Sequence, residues 1–239
     1  VELFYLRPRD IAVYVGSGTV DCGITGRDLL LDSGSAAVEV LALGFGASTF
    51  RYAARPGTAS ALADIGGHRV ATSYQGLVEK HLADHGIQAE VVRLDGAVET
   101  AITLGVADVI ADVVETGATL RSQGLAVFGE PILTSEAVLI RRAEVSEDDG
   151  VGVLRRRLLG VVTARDYVLL DYDCPAEHVE AACQITPGRA AATPWVTPDP
   201  AWVAVRAMGP RKGTNQVMAE LYDLGARGIL VTHIAACRL

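Results

Sequence analysis

One rhythm constrains this chain more than any other feature. Over its first two thirds, short apolar runs alternate with amphipathic stretches of about ten residues. VDCGITG (20–26), VEVLALG (38–44), TFRYAAR (49–55), HRVATS (68–73), AEVVRL (89–94), ADVIADVV (107–114), AVFGEPIL (126–133) and SEAVLIRR (135–142) read as strands. Between them, PRDIAVYVGSG carries Pro8 in its first turn, RDLLLDSG is closed by Gly34, and QGLVEKHLADHG (75–86) ends at Gly86. These have helix punctuation, as do GAVETAITLG (96–105) and TLRSQGL (119–125). Apolar strands separated by helices of this length predict an α/β body whose sheet is mostly parallel and covered on its faces.

The pattern changes after SEDDGVGVLRRRLLGVVTARD, an amphipathic helix with acids in its first turn. YVLLDYD (167–173), PAEHVEAACQI from Pro175, RAAATPWV (189–196), AWVAVRAM (201–208), TNQVMAELYDLGA (214–226) and GILVTHI (228–234) spell β-α-β-β-α-β. That is the ferredoxin-like order.

Composition narrows the function. The formal net charge of −8 argues against a nucleic-acid surface, which needs basic stripes. Cys22, Cys174, Cys183 and Cys237 lie far apart with no CxxC pair. They read as reduced thiols of a cytoplasmic protein. No apolar run reaches the length of a membrane span, and no signal peptide is visible.

ADVVETGATL (111–120) carries the sharpest chemical signal. Thr116, Gly117, Ala118 and Thr119 form a hydroxyl-bearing turn into a helix, where converging N–H groups hold phosphate well. Asp112 accepts hydrogen bonds only, which suits a sugar diol rather than a phosphate. An acid four residues ahead of T-G-x-T therefore fits a 5-phosphoribosyl group. An ordinary strand–turn–helix link with a threonine cap fits the same residues. No Walker loop, G-x-S-x-G or complete G-x-G-x-x-G is present. The GSG (16–18) and GFG (44–46) pairs read as turns. His81 and His85, four apart without a third ligand, read as solvated helix-end histidines rather than a metal pair. RRRLLG (155–160) reads as a packing face, and GPRKG (209–213) as a basic turn.

ADVVETGATL, DCGITGRDLL, LALGFGASTFRYAAR, LDGAVE, SEAVLI, LDYDCP and ITPG, in this order, resemble the long form of ATP phosphoribosyltransferase, with the likeness running over the whole chain. The resemblance implies that N1 of ATP attacks the anomeric carbon of 5-phosphoribosyl 1-pyrophosphate and that pyrophosphate leaves with Mg²⁺. It gives Asp112 the ribose hydroxyls and Thr116, Gly117, Ala118 and Thr119 the 5-phosphate. Asp28, Asp95 and Glu99 become cleft contacts for ATP. It implies a two-lobed body like a periplasmic binding protein, with 1–45 and 139–166 in one lobe and 46–138 in the other. The ferredoxin-like tail, 167–239, becomes a regulatory domain binding the inhibitor L-histidine, with Asp173 for the ammonium and Arg189, Thr193 and Gly228 around it. Dimers building a hexamer are implied too. A catalytically impaired histidine sensor on the same fold is the alternative.

Members of that family begin with a strand and a Lys-Gly loop that have no counterpart here. A lobe without them lacks cleft residues, so the chain as written is expected to turn over poorly. A steady-state assay following phosphoribosyl-ATP absorbance checks this, and normal turnover would overturn it.

Overall fold

The computed structural model describes residues 1–114, 117–143 and 150–238. It divides into two compact units, Val1–Arg155 and Arg156–Leu239.

The first unit is built on two sheets. The smaller joins β1 (Cys22–Gly26), β8 (Ala137–Arg142) and β2 (Ala37–Ala42) in the order β1-β8-β2, all antiparallel. Helices α1 (Pro8–Gly16) and α2 (Arg27–Ser33) pack on it through Ala12, Val15 and Leu30 against Val138 and Ile140. Pro8 opens α1, and Gly34 ends α2 in the left-handed conformation that glycine adopts at little steric cost.

The larger sheet runs β5 (Glu90–Arg93), β4 (Arg69–Thr72), β6 (Val109–Val114), β3 (Ser48–Ala54), β7 (Ala126–Ser135). One face buries Phe50, Tyr52, Val70, Val109 and Ala111 against α3 (Gln75–Asp84). The other buries Ala53, Ala71, Ile110 and Val114 with Val98, Ala101 and Leu120 from the region of α4 (Thr100–Thr103) and α5 (Ala118–Ser122). Burial on both faces explains why β6 reads as a continuous apolar run until Asp112 interrupts it.

The sheet is mixed, not mostly parallel. Only β4 with β5 and β4 with β6 pair in parallel in this unit, whereas β3 is antiparallel to both β6 and β7. The reason is topological. β3 enters from β2 and β7 leaves toward β8, so both are connections between the two sheets rather than products of a strand–helix–strand crossover. At the joint the two connections run side by side, with Ala137 N–H donating to Phe45 O (2.9 Å) and Leu43 N–H to Ala137 O (3.0 Å).

Local backbone also trims the expected elements. The helix expected over 96–105 survives only as Thr100–Thr103, because Gly96 (φ 115) and Ala97 (φ 48) lie outside helical space. The acids expected in the first turn of α6 (Gly150–Arg165) lie outside the described residues. His81 is not simply solvated at its helix end. It is half-buried, and its Nδ1 meets the hydroxyl of buried Tyr52 at 3.1 Å, satisfying a polar group that the core would otherwise isolate. His85 fits the exposed reading, with Nδ1 2.8 Å from the His81 carbonyl.

In the second unit, four antiparallel strands take the order β10 (Thr193–Val196), β11 (Trp202–Pro210), β9 (Tyr167–Pro175), β12 (Arg227–His233). With α7 (Val179–Ile185) and α8 (Thr214–Asp223) this is the ferredoxin-like arrangement. Alternate residues of β9, Val168, Leu170, Tyr172 and Cys174, are buried beside Ala182 and Leu221 of the helices. Tyr172 OH meets Thr186 Oγ1 at 2.7 Å inside that core. The α-helix expected at Pro175 starts only at Val179, after a 3-10 turn at Ala176–His178. β10 is shorter than the expected 189–196. Gly188 (φ 67) turns so tightly that a Cβ there would meet Ala191 O at 2.6 Å, which keeps the preceding residues out of the strand. No disulfide joins the cysteines among the described residues, and no described helix is long and apolar enough to cross a membrane.

The pairing of β4 with β6 depends on Asp108. Its carboxylate accepts the Arg69 backbone N–H (3.0 Å) and two guanidinium bonds (3.2 and 2.9 Å). Those bonds, led by the guanidinium, hold its pKa down to about 2. A carboxylate depressed in the folded state adds stability above its unfolded pKa and loses it as pH falls through the folded one. Stability measured by urea melts should therefore drop from about pH 4 to about 2. Asp108→Asn should remove that part of the drop.

Candidate functional site

β6 ends in the alternation Ala111, Asp112, Val113, Val114, which sends Ala111 to one core and Val114 to the other. Asp112 thus lies on the same side as Ile110 and Val114, at the strand end where apolar cover runs out. Its Oδ1 accepts the Val113 N–H at 2.8 Å, and its other oxygen has no hydrogen-bond partner among the described residues. Burial is the main influence on this carboxyl and pushes its pKa up; the Val113 N–H opposes that, and the negative charge of Glu99 adds to it. Arg51 is the cross-strand partner of Asp112, yet its guanidinium donates to Gly129 O instead. Its buried Nε makes no hydrogen bond.

Beyond β6, Thr116 lies outside the described residues. Gly117 takes a left-handed conformation (φ 68) at the N-cap of α5, and Ala118 and Thr119 open that helix, both exposed. Arg121 folds back over the turn, its Nη1 only 3.1 Å from where a Cβ on Gly117 would stand. Any side chain at 117 would be strained by φ and would crowd this guanidinium.

A second acid comes from the smaller sheet. Asp28, in the first turn of α2, is buried. Its Oδ1 accepts from Ser135 Oγ (2.7 Å), and its N–H donates to the same hydroxyl oxygen (3.1 Å). The Asp28 carboxylate also acts on the Tyr74 phenol. Tyr74 precedes α3, packs edge-on against Phe50 (centroids 4.9 Å apart), and carries the Arg9 guanidinium 5.0 Å from its ring centre. Arg9 in turn pairs with Asp32 at 2.6 Å. Burial, then the charge of Asp28, raises the Tyr74 phenol, and the charge of Asp112 raises it further.

The charges of Asp28 and Asp112 thus both act on Tyr74, and that of Glu99 acts on Asp112. Asp95 does not join them. Its side chain is 93% exposed and, among the described residues, reaches only Arg93, at 3.9 Å. In the second unit, Asp173 and Gly228 meet, with the Gly228 Cβ position 3.5 Å from Asp173 Oδ2. Thr193 is two strands away and pairs with Arg206, whereas Asp173 pairs opposite Ala204. Standard strand spacings put it ~12 Å from Asp173. Arg189 lies exposed in the turn before β10.

Sequence reading missed Tyr74, Ser135, Arg9 and Arg121. Only Arg121 had a local signal, a cation four residues after Gly117 on a helix. The others work through partners that spacing does not reveal: Ser135 meets an acid 107 residues earlier.

The raised Asp112 pKa implies that its ionised form costs folding free energy at neutral pH, a cost relieved below the folded pKa. Asp112→Asn should therefore raise Tm at pH 7, with the advantage shrinking as pH falls. Calorimetric melts across pH check this, and an unchanged or lower Tm at pH 7 would count against a strained carboxylate.

The family model described as "ATP phosphoribosyltransferase" matches residues 7–160, and "HisG, C-terminal domain" matches 164–236. An ATP phosphoribosyltransferase of Streptomyces avermitilis is 60% identical over 243 residues, covering 100% of this chain and 85% of that protein. One of Kocuria rhizophila is 59% identical with the same coverages. Among solved structures, the ATP phosphoribosyl transferase (HisG:HisZ) complex from Thermotoga maritima aligns at a TM-score of 0.58 and 24% identity, over 67% of this chain and 79% of that one. That likeness shows the shared fold.

Proposed function

We propose a division of labour at this cleft that proceeds from one fact: the chain belongs to the ATP phosphoribosyltransferase family, whose place is in histidine biosynthesis. Its reaction joins ATP to 5-phosphoribosyl 1-pyrophosphate. N1 of the adenine forms a bond to the anomeric carbon, the bond from that carbon to the pyrophosphate oxygen breaks, and phosphoribosyl-ATP and pyrophosphate result. The anomeric carbon gathers positive charge on the way, so holding the partners in line and supplying nearby negative charge matter more than a strong acid or base.

The observation that carries the reading is the position of Asp112. It is a desolvated carboxylate with an oxygen unpartnered among the described residues, standing near the end of β6 ahead of the left-handed Gly117 that caps α5. The free oxygen accepts ribose hydroxyls. The turn, with Gly117, Ala118, Thr119 and the sequence neighbour Thr116, takes the 5-phosphate, and Arg121 adds a cation beside it. Asp28 and Tyr74 form the ATP side, an acceptor and an aromatic ring backed by Arg9. Glu99 adds negative charge near Asp112. Asp95 is a peripheral contact at most.

Mg²⁺ belongs with the pyrophosphate. Among the described residues no three His, Cys, Asp or Glu side chains converge to hold a metal. Mg²⁺ commonly takes most of its ligands from phosphate oxygens and water, with one or two carboxylates added. Asp112 and Glu99 are the acids that fit that smaller role, and the ion would neutralise the departing pyrophosphate.

L-Histidine as inhibitor fits the second unit at Asp173 and Gly228: an exposed acid for the ammonium beside a left-handed glycine. Arg189 and Thr193 stand apart from that pair. Cytoplasmic location and assembly into dimers and a hexamer complete the proposal.

Calorimetric titration tests the central assignment. Asp112→Ala should weaken phosphoribosyl pyrophosphate binding about 10- to 100-fold, the range expected for losing charge-assisted hydrogen bonds. Wild-type affinity should also fall on the acid side, with a midpoint above the ordinary aspartate pKa, because protonation removes the acceptor. Unchanged affinity in Asp112→Ala would overturn the assignment.

A further inference from the structure

We infer that Ser135 is a positioning residue for ATP, acting through Asp28; this rests on the reading of Asp28 as an ATP-facing acid. Two observations fix the Asp28 carboxylate independently. The Ser135 hydroxyl, only 2% exposed, donates to Oδ1 at 2.7 Å and accepts the Asp28 N–H at 3.1 Å, so one hydroxyl sets both side chain and backbone. On the other side, the carboxylate folds back over Gly26. A Cβ on Gly26 would lie 2.3 Å from Oδ1, so only glycine leaves room for this orientation.

The charge of the carboxylate held this way raises the Tyr74 phenol. Ser135 is the last residue of β7, and the next residue, Glu136, belongs to the joint. Glu136 Oε2 accepts the Gly44 N–H at 3.0 Å, its Oε1 accepts from Arg27 at 3.2 Å, and its carbonyl accepts the Arg27 N–H at 3.0 Å. Two consecutive residues of the joint thus hold two consecutive residues of α2. The orientation of the acid that meets ATP follows the geometry of the joint between the sheets.

The test uses the full chain and separate calorimetric titrations with ATP and with phosphoribosyl pyrophosphate. Ser135→Ala should weaken ATP binding about tenfold, the loss of one hydrogen bond to a charged group, and leave phosphoribosyl pyrophosphate binding unchanged. Ser135→Thr, which keeps the hydroxyl, should recover most of the ATP affinity. Gly26→Ala displaces the carboxylate with Ser135 intact and should reproduce the ATP-selective loss. If Ser135→Ala binds ATP normally while Asp28→Asn does not, the positioning role is wrong and Asp28 keeps its assignment. If Asp28→Asn also binds ATP normally, the reading of Asp28 itself fails. An equal loss for both ligands with a lowered Tm would overturn the inference in favour of a purely structural serine.

Discussion

Arg27 and Asp28 begin α2 on the smaller sheet, and Glu136 and Ser135 close on them from the end of β7. Arg27 reaches Glu39 with two bonds of 2.8 Å and Glu136 with one of 3.2 Å. These charges are partly exposed, so their Coulomb energy is screened and modest. Their value is geometric. The joint consists of two extended segments held to each other by backbone bonds at Ala137, and side chains add cross-links to α2. Together with the Leu77 N–H of α3 donating to Asp32 (3.2 Å), these bonds tie α2 to the larger sheet.

Burial works against two acids of this unit. Asp112 sits near the end of an apolar strand with one carboxylate oxygen unpartnered among the described residues, a costly state for a carboxylate. Asp28 is buried too, yet the Ser135 hydroxyl bonds it. The contrast is informative. Ser135 fixes how the Asp28 carboxylate points, whereas the hydrogen bond to Asp112 comes from its own strand neighbour Val113. Stability is given up locally at Asp112, and the dense packing of Phe50, Tyr52, Ile110 and Val109 on either side of the sheet carries that loss.

Much of the fold was legible because it rests on local rules. The apolar alternation, Pro8 opening α1, Gly34 closing α2, and the order of the tail follow from periodicity and backbone preference. Strand direction was less legible. The expected parallel sheet came from counting strand–helix alternations, but β3 and β7 are passages between sheets, which periodicity cannot distinguish from crossover strands. The shortened α4 was hidden for a different reason: Ala97 at φ 48 is a conformation that its residue type does not announce. His81 illustrates the same limit, since its partner Tyr52 lies 29 residues away on a neighbouring strand.

At the site, the sequence alone determined the ends of β6: an acid, then a glycine-bearing turn, then a helix. Those are short-range facts, set by side-chain alternation and by the φ that Gly117 tolerates. Membership of the family was also written in the order of the phrases along the chain. Only the tertiary structure decided which distant groups meet around Asp28 and Tyr74. Ser135 reaches Asp28, and Arg9 lies over the Tyr74 ring, because the chain passes twice between the sheets and is cross-linked where it does so. Hydrogen bonds act over about 3 Å, and residues 107 apart in sequence come within that range only once the sheets have been placed.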